Sequence, residues 1–324
     1  MLRLNQLGHR SGVEVTEVGL GLWAVPGSEW GPSDTQAVLD AIEAAHDRGV
    51  TFFDTADIYG DGFSEELLGM AMKGRRERFV VATKIGWRDF DADLGRTRYD
   101  TVEKLTADVE ASLRRLGTDY VDLLQCHVPF VEPNTDVVIE GFRRLRDQGT
   151  IRAWGVSTGD LPVLQRFNAD GDCDALQVDY SILNRTAESE ILPYCLGHGI
   201  GVVARGPLAM GLLTGKLSTS AMFPEDDFRG AWIEDQGQNA QFRQDLKIVD
   251  LLRHEVPDQE PMASFAIRFA ASHPAVTSVI PGARNRDQAV ANSEAGLLPP
   301  LSDSERRAVD RIVPPGGGRK IWPA

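Results

Sequence analysis

The sequence has little cysteine and no long apolar run. Its 324 residues include three cysteines, Cys126, Cys173 and Cys195, without C-x-x-C spacing, which argues against a disulfide framework or a zinc knuckle. No stretch approaches the ~18 apolar residues that cross a bilayer, and the first residues lack the apolar core of a secretory signal. We therefore expect a cytoplasmic protein with reduced thiols.

Positive charge is also scarce. The 34 lysines and arginines face 48 aspartates and glutamates, a formal net charge of −14. Such a field repels phosphate backbones and anionic lipid heads, so we expect no nucleic-acid partner and no membrane partner. A local cationic pocket for an anionic small molecule remains open, and the composition does not indicate an oligomeric state.

The sequence does contain a regular alternation of short apolar runs with amphipathic windows. The runs are almost continuously apolar, which is typical of strands that are covered on both faces or closed into a barrel. Eight such runs predict strands at 18–22, 51–56, 79–84, 120–126, 151–156, 175–179, 201–205 and 277–281.

The windows between these runs have the three- and four-residue spacing of amphipathic helices. Helices are predicted at 34–47, 101–116, 135–147 and 261–271, with Asp100 as the candidate N-cap of the second. Because no linker divides the repeats, they favour a single (β/α)8 TIM barrel over residues 1–324, rather than two doubly wound domains.

Three segments lie outside the repeat. An N-terminal β segment precedes it. Residues 206–240 are rich in Gly, Pro and Asp, carry three large aromatics, and are predicted to form a long loop over the site after strand 7. An extra C-terminal helix opened by Ser302 and Glu305 precedes a flexible or draped tail at 314–324.

Four polar residues are predicted at one rim of the barrel, where the chemistry of this fold sits. Asp54, Tyr59, Lys84 and His127 follow the second, third and fourth runs. Together they suit proton donation to a carbonyl oxygen, and no metal-ligand spacing accompanies them, so we expect no metal. Lys84 is expected to lower the phenol pKa of Tyr59 by about two to three units, and Asp54 to keep Lys84 charged.

Each of the four also has a structural interpretation, as a cap, a turn aromatic, a strand end or a rim histidine. Their joint placement favours the catalytic one. His127 is expected either to hydrogen-bond the substrate oxygen or to assist proton transfer to Tyr59, and the sequence does not separate these roles.

Several motifs together resemble the aldo-keto reductase family. They are FFDTADIYGDGFSEELLG (52–69), VVATKIG (80–86), DLLQCH (122–127), GVST (155–158), LQVDYSILNR (176–185), GPLAMGLLTGK (206–216) and IPGAR (280–284). The resemblance implies a metal-free (β/α)8 barrel that reversibly reduces an aldehyde or ketone with NADPH. It also implies that the four rim residues are a catalytic tetrad, with Tyr59 as the general acid.

The resemblance further implies a cofactor site. Thr158 stands where many members have asparagine, Arg205 where many have a stacking aromatic, and Ala291 where many have glutamate. An arginine at position 284 suits a 2′-phosphate, which favours NADP(H) over NAD(H). The implied residues are Ser157, Thr158 and Gln177 at the carboxamide, Arg205 at the ring, Gly206, Leu208, Gly211 and Lys216 at the pyrophosphate, and Arg284, Gln288 and Asn292 at the adenosine.

Trp23, Trp30 and Trp87 follow or flank early strand ends and are expected to wall an apolar pocket for a small carbonyl substrate, with core packing as the competing interpretation. Two rival functions stay open. One is a nicotinamide-binding regulatory module like the channel β subunits that share the family's fold. The other is a barrel isomerase or aldolase that uses Lys84 as a Schiff-base amine.

Overall fold

Eight parallel strands form the centre of the fold, each paired with the next one along the chain. The computed structural model describes residues 1–27, 29–127 and 131–321. Backbone bridges from Val18 to Val279 and from Gly21 to Gly282 join the first strand to the last, which confirms the (β/α)8 barrel as a nearly closed one. The strands are β1 (Leu20–Gly21), β2 (Phe52–Asp54), β3 (Val80–Ile85), β4 (Val121–Cys126), β5 (Ile151–Ser157), β6 (Ala175–Asp179), β7 (Gly201–Arg205) and β8 (Val276–Ile280), each overlapping a predicted run.

Glycines at the closing seam let the first and last strands approach. The N–H of Gly19 donates to the carbonyl of Val279 at 2.8 Å. A Cβ atom on Gly19 would lie 2.8 Å from the carbonyl oxygen of Phe52, and one on Gly21 would lie 2.9 Å from that of Ile280. Because both distances are shorter than side chains tolerate, the seam requires glycine at these two positions.

The helices follow the strands and place their apolar stripes against the barrel. The predicted windows 34–47, 135–147 and 261–271 each agree with a helix to within one residue. The helices are α1 (Thr35–Asp47), α2 (Phe63–Met72), α3 (Val102–Leu116), α4 (Thr135–Asp147), α5 (Leu161–Phe167), α6 (Ile191–His198), α7 (Ala231–Glu234), α8 (Gln236–Arg253), α9 (Met262–Ala271), α10 (Arg286–Ala295) and α11 (Asp303–Ile312).

The N-cap predicted for the 101–116 helix is wrong. Thr101 caps α3, because its hydroxyl accepts the N–H of Lys104 at 3.4 Å. Asp100 lies one residue further out and pairs with the Lys104 ammonium at 2.8 Å instead. The cap predicted for α11 is confirmed, since Ser302 and Glu305 form a reciprocal capping box.

The loop predicted at 206–240 ends earlier than expected. Asp235 caps α8 by accepting the N–H of Gln238 at 2.8 Å, so residues 236–240 are its first turn. The buried face of α8 includes Phe242, Leu246 and Val249, at helical spacing. The Gly- and Asp-rich composition before this point hid the start of the helix. Short helical turns also occupy Ala209–Thr214 and Phe228–Gly230.

An apolar floor closes one end of the barrel interior. Inward positions recur every second residue along each strand, so side chains fill the barrel in layers. The N-terminal β segment is a hairpin of strands Leu4–Gln6 and Glu14–Thr16. The N–H of His9 in this hairpin donates to Gly199 just before β7, at 2.9 Å. The floor consists of Leu7, Val13 and Val15 from the hairpin region and Phe52, Ala82, Leu123, Ala153, Ala175 and Val203 from the strands.

The tail predicted at 314–324 packs on the barrel as far as it is described. The N–H of Arg319 donates to Leu183 and the carbonyl of Gly317 accepts from Arg185, both at 2.9 Å. Arg319 also forms an ion pair with Asp245. Residues 322–324 lie outside the described residues. None of the described helices combines the length and apolar character that crossing a membrane requires.

Candidate active site

The candidate site lies one layer above the apolar floor, at the carboxyl ends of the strands. Asp54 stands two residues beyond Phe52 in β2, and Lys84 two residues beyond Ala82 in β3. The two-residue period therefore turns both side chains into the barrel. Tyr59 follows in the turn after β2, and His127 directly follows β4.

Lys84 connects the group. Its side chain is fully buried, and its ammonium donates to Oδ1 of Asp54 at 2.6 Å and to the carbonyl oxygen of Thr55 at 2.8 Å. The phenol oxygen of Tyr59 lies 3.3 Å from the same nitrogen. The structure thus brings together the lysine, aspartate and tyrosine that the sequence singled out.

Charge in this cluster favours a lysine ammonium. Burial lowers the pKa of Lys84, but the Asp54 carboxylate and the Tyr59 phenol raise it by more, so the net shift is upward. A permanently protonated amine is a poor nucleophile, which disfavours the Schiff-base alternative for this residue.

The pKa expected for Tyr59 is wrong in direction. Burial raises the pKa of this phenol, Lys84 opposes that effect, and the net pKa lies above the ordinary value. The sequence shows the neighbouring ammonium but not the loss of water around the half-buried ring. Lys84 therefore offsets part of the burial penalty and does not produce an acidic phenol.

His127 stands edge-on to the phenol ring of Tyr59. The ring centroids of Tyr59 and His127 are 5.6 Å apart at 87°. Burial, followed by the charges of Lys84 and Arg205, lowers the pKa of His127 well below its ordinary value. The imidazole is therefore neutral at neutral pH. Its buried Nδ1 has no hydrogen-bond partner within 1–27, 29–127 and 131–321.

The second oxygen of Asp54 is held by two amides. Gln177 donates to Oδ2 at 2.8 Å and Gln125 donates to the same atom at 3.3 Å. The predicted carboxamide ligand Gln177 thus commits its amide nitrogen to Asp54. Gln125 was not predicted, although its position two residues before His127 placed it on the same inward face.

A cavity of about 600 Å³ runs from Asp54 and Tyr59 toward α10. Five of the predicted residues lie outside its lining: Lys84, His127, Trp87, Ser157 and Thr158. The hydroxyl of Thr158 instead accepts the N–H of Asp160 at 3.1 Å. The predicted binding residues that line the cavity are Trp23, Trp30, Gln177, Arg205, Gly206, Leu208, Gly211, Lys216, Arg284, Gln288 and Asn292.

The cavity is locally cationic although the chain is acidic. Two carboxylates line it, those of Asp54 and Asp287, and the first is already paired with Lys84. Four cationic side chains also line it, those of Arg205, Lys216, Arg229 and Arg284, of which Arg229 is paired with Asp227. An elongated cleft with this donor set fits a dinucleotide whose phosphates carry the negative charge.

The loop after β7 has a strained backbone. Ala209 has a φ of +47° and Met210 one of +54°, values that are unfavourable for residues with a side chain. The N–H of Gly211, however, donates to the carbonyl of Leu208 at 3.0 Å, so this amide is used within the loop. Backbone strain of this kind is concentrated at ligand sites.

Arg229 is a cavity residue to which the sequence assigned no role. Its guanidinium forms a bidentate pair with Asp227 at 2.8 and 2.6 Å and donates to the carbonyl of Met210 at 3.3 Å. It also lies 5.0 Å from the ring centroid of Trp30. The arginine within an aromatic, Gly-rich loop was the available sequence signal.

The far end of the cavity is built around the start of α10. The N–H of Arg284 donates to the side chain of Gln288 at 2.9 Å, and the Arg284 guanidinium donates to the carbonyl of Pro32. The amide of Asn292 donates to the carbonyl of Gly282 at 3.0 Å. These residues lie together as the resemblance implied.

Aromatic side chains surround the reactive end. The ring of Trp23 stacks on Phe228 with centroids 6.0 Å apart, and Trp30 meets both rings edge-on. Trp87 lies at the rim, 39% exposed, with its ring edge-on to His127 at 6.3 Å. In the described part of the chain, no group of three or more His, Cys, Asp or Glu side chains is placed to hold a metal ion.

Comparison with known proteins gives consistent matches. The model of the aldo/keto reductase family matches residues 17–314. Aldo-keto reductase YhdN of Bacillus subtilis is 33% identical over 290 residues, covering 88% of this chain and 86% of that protein. An Escherichia coli NADH-specific methylglyoxal reductase is 32% identical, covering 90% and 93%.

Two further matches extend the range of relatives. A probable voltage-gated potassium channel subunit beta of Oryza sativa is 32% identical, covering 94% of this chain and 93% of that protein. The holo structure of aldo-keto reductase AKR11C1 from Bacillus halodurans superposes with a TM-score of 0.79 at 30% identity, covering 96% of both chains. The chain belongs to the aldo/keto reductase family of NAD(P)H-dependent oxidoreductases.

Proposed function

We propose that this protein reversibly reduces an aldehyde or ketone to an alcohol, with Tyr59 as the proton donor. The observation that carries the proposal is the contact between the phenol of Tyr59 and the buried ammonium of Lys84, at the inner end of a cationic cleft. A nicotinamide bound in this cleft would supply the hydride.

Side chains of this protein supply the proton and stabilise the charge that its transfer leaves behind. Tyr59 keeps its proton at neutral pH because its pKa is raised, and it gives the proton up as negative charge develops on the carbonyl oxygen. The ammonium of Lys84, 3.3 Å from the phenol oxygen, then stabilises the phenolate left behind. Asp54 keeps that ammonium charged and oriented through a 2.6 Å contact.

His127 acts as a neutral hydrogen-bond partner of the substrate oxygen. Its lowered pKa leaves one ring N–H and removes a competing acid from the site. Of the two roles that the sequence left open, the neutral ring supports this one, because an uncharged imidazole is a weak proton source for Tyr59.

We propose NADP(H) as the preferred cofactor. Arg284 lies at the end of the cavity remote from Tyr59, where a charge-assisted bond to a 2′-phosphate would distinguish it from a free hydroxyl. Arg229, Lys216 and the loop from Gly206 to Gly211 would hold the pyrophosphate. Because the similar Escherichia coli methylglyoxal reductase is NADH-specific, the test of this proposal has to measure both NADPH and NADH.

The substrate proposed is a small carbonyl compound with an apolar or aromatic body. Trp23, Trp30 and Phe228 supply flat apolar surface beside Tyr59. All three cysteines are buried free thiols, which suits the reducing cytoplasm that we propose as the location. We further propose one barrel domain, with the 206–235 segment closing over the cavity.

A nicotinamide-binding regulatory subunit is the second candidate, because a probable channel β subunit is similar over 94% of this chain. The deciding experiment follows NADPH and NADH absorbance over a panel of aromatic aldehydes, sugars and α-dicarbonyls. Steady-state turnover supports the reductase. Oxidation of a single equivalent of bound NADPH, without turnover on any substrate, supports the regulatory subunit instead.

A further inference from the structure

Gln125 is a fully buried amide to which the proposed function assigns no role. It lies in β4, two residues above the apolar floor residue Leu123 and two before His127. Its amide nitrogen donates to Oδ2 of Asp54 at 3.3 Å. Its carbonyl oxygen accepts from the amide of Gln177, also at 3.3 Å.

The geometry of the barrel explains why these three side chains meet. In a (β/α)8 barrel, each interior layer is built by side chains from alternate strands. Asp54, Gln125 and Gln177 come from β2, β4 and β6, each two residues beyond a floor residue of its own strand. They therefore form one polar layer, which Lys84 contacts from β3 through Asp54.

This layer completes the bonding of a buried carboxylate. Oδ1 of Asp54 is used by Lys84, and Oδ2 is used by the two amides. A buried carboxylate with an unpaired oxygen is costly, and a single ion-pair contact leaves its plane free to rotate. The amides of Gln125 and Gln177 fix the plane in which Oδ1 points at the ammonium.

Gln125 also sets the direction of its neighbour. Nε2 of Gln177 contacts both Oδ2 of Asp54 and Oε1 of Gln125, at 2.8 and 3.3 Å. Without that carbonyl acceptor, one N–H of Gln177 would lose its partner. The amide of Gln125 thus supports Asp54 directly and through Gln177.

We propose that Gln125 is a positioning residue for proton transfer, which holds the Asp54 carboxylate in the orientation that directs Lys84 at the Tyr59 phenol. The proposal rests on the proposed function for its catalytic consequence. Its structural part, that Gln125 controls the Asp54–Lys84 pair, holds in the protein alone and is tested there.

The test compares three variants of the full chain. Gln125→Met keeps the volume but removes the amide. Gln125→Glu restores a donor only when its carboxyl is protonated, and repels Asp54 when it is ionised. Leu123→Met is the matched control, because it changes an inward apolar side chain of the same strand that makes no hydrogen bond to Asp54 or Lys84. Thermal unfolding confirms that each variant is folded.

The first readout is the titration of the Lys84 ammonium by ¹⁵N NMR, assigned among the six lysines by its loss in Lys84→Met. We expect the titration midpoint to move to lower pH in Gln125→Met, because a reoriented Asp54 supports the charge less. Leu123→Met keeps the wild-type midpoint. A wild-type midpoint in a folded Gln125→Met overturns the proposal, whether or not the protein turns over a carbonyl.

The second readout is steady-state kinetics. We expect Gln125→Met to lower kcat about tenfold while KM stays within about twofold, since the loss acts on the proton transfer. In Gln125→Glu, kcat should rise as the pH falls, in contrast to the wild type. Equal losses of kcat and cofactor affinity in Gln125→Met and Leu123→Met would show a packing role and contradict the proposal.

Discussion

Lys84 and Tyr59 lie 3.3 Å apart, nitrogen to phenol oxygen, at the inner end of a cavity whose lining residues extend to α10. The lysine is fully buried, so its charge acts on the phenol with little screening by water. This contact is the basis of the first two predictions.

Replacing Tyr59 with phenylalanine should remove the proton donor and little else. We expect kcat to fall by about 10²–10⁴-fold, the usual contribution of a general acid. NADPH affinity, measured by fluorescence titration, should stay within about twofold because this hydroxyl is not a cofactor anchor. Tyr194→Phe removes a phenol hydroxyl outside the cavity and should match the wild type. A parallel loss of NADPH affinity in Tyr59→Phe would contradict the assigned role.

Replacing Lys84 with methionine should destabilise the fold as well as stop turnover. The change leaves the carboxylate of Asp54 buried without its cation, at a cost of about 3–5 kcal/mol in the free energy of unfolding. The double variant Lys84→Met/Asp54→Asn removes both charges and should regain much of this stability while remaining inactive. Denaturant unfolding measures both effects. Full stability of the single variant would contradict the structural role assigned to the Lys84–Asp54 ion pair.

Replacing Arg284 with alanine should weaken NADPH binding far more than NADH binding. A charge-assisted bond to the 2′-phosphate is worth about 1.5–3 kcal/mol, or roughly ten- to a hundredfold in Kd. Fluorescence titration with both dinucleotides gives the ratio. Arg286→Ala, which removes a charge outside the cavity lining, should leave the ratio unchanged. Equal weakening of both cofactors would remove Arg284 from the 2′-phosphate site.

The buried carboxyl group of Asp57 should make the free energy of unfolding depend on pH. Both of its buried oxygens lack a hydrogen-bond partner among the described residues. Burial, followed by the charges of Glu65 and Asp108, raises its pKa to about 7, against the opposing charges of Arg88 and Arg115. The folded state therefore binds the proton more tightly than the unfolded chain. This residue costs stability as the pH rises from about 4 to about 7, by up to ~4 kcal/mol.

Asp57→Asn removes that ionisation. The stability of the variant relative to the wild type should increase through this pH window and then level off, as measured by urea unfolding at each pH. The control Asp61→Asn neutralises an exposed carboxylate on the same turn. Parallel pH curves for Asp57→Asn and the wild type would show that Asp57 is not a buried titrating group.

The barrel was predictable from the sequence because each strand carries its own apolar run between turn residues. The N-cap residue of α3 was harder to predict, because Asp100 and Thr101 are both residue types that favour this position and the backbone geometry decides between them. The start of α8 was obscured by the Asp- and Gly-rich residues that precede it. Caps and loop ends depend on local geometry that composition does not specify.

The candidate site was predictable where its residues follow strand ends, as Asp54 and Lys84 do. It was not predictable where side chains reach across the barrel: the contact from Gln177 to Asp54 joins residues 123 positions apart. The direction of the Tyr59 pKa depends on burial, which no spacing in the sequence reports. The sequence therefore identified the residue types of the candidate site. It did not show the net effect of burial and neighbouring charges on their pKa values.

The N-terminal hairpin region covers one end of the barrel. Leu7, Val13 and Val15 pack in the same apolar cluster as Phe52, which precedes Asp54 by two residues in β2. Water entering at this end of the barrel would hydrate the Lys84–Asp54 pair and weaken the electrostatic interaction between Lys84 and the Tyr59 phenol. Although no residue of the hairpin lines the cavity, the hairpin keeps water away from the Lys84–Asp54 pair on which the proposed proton transfer depends.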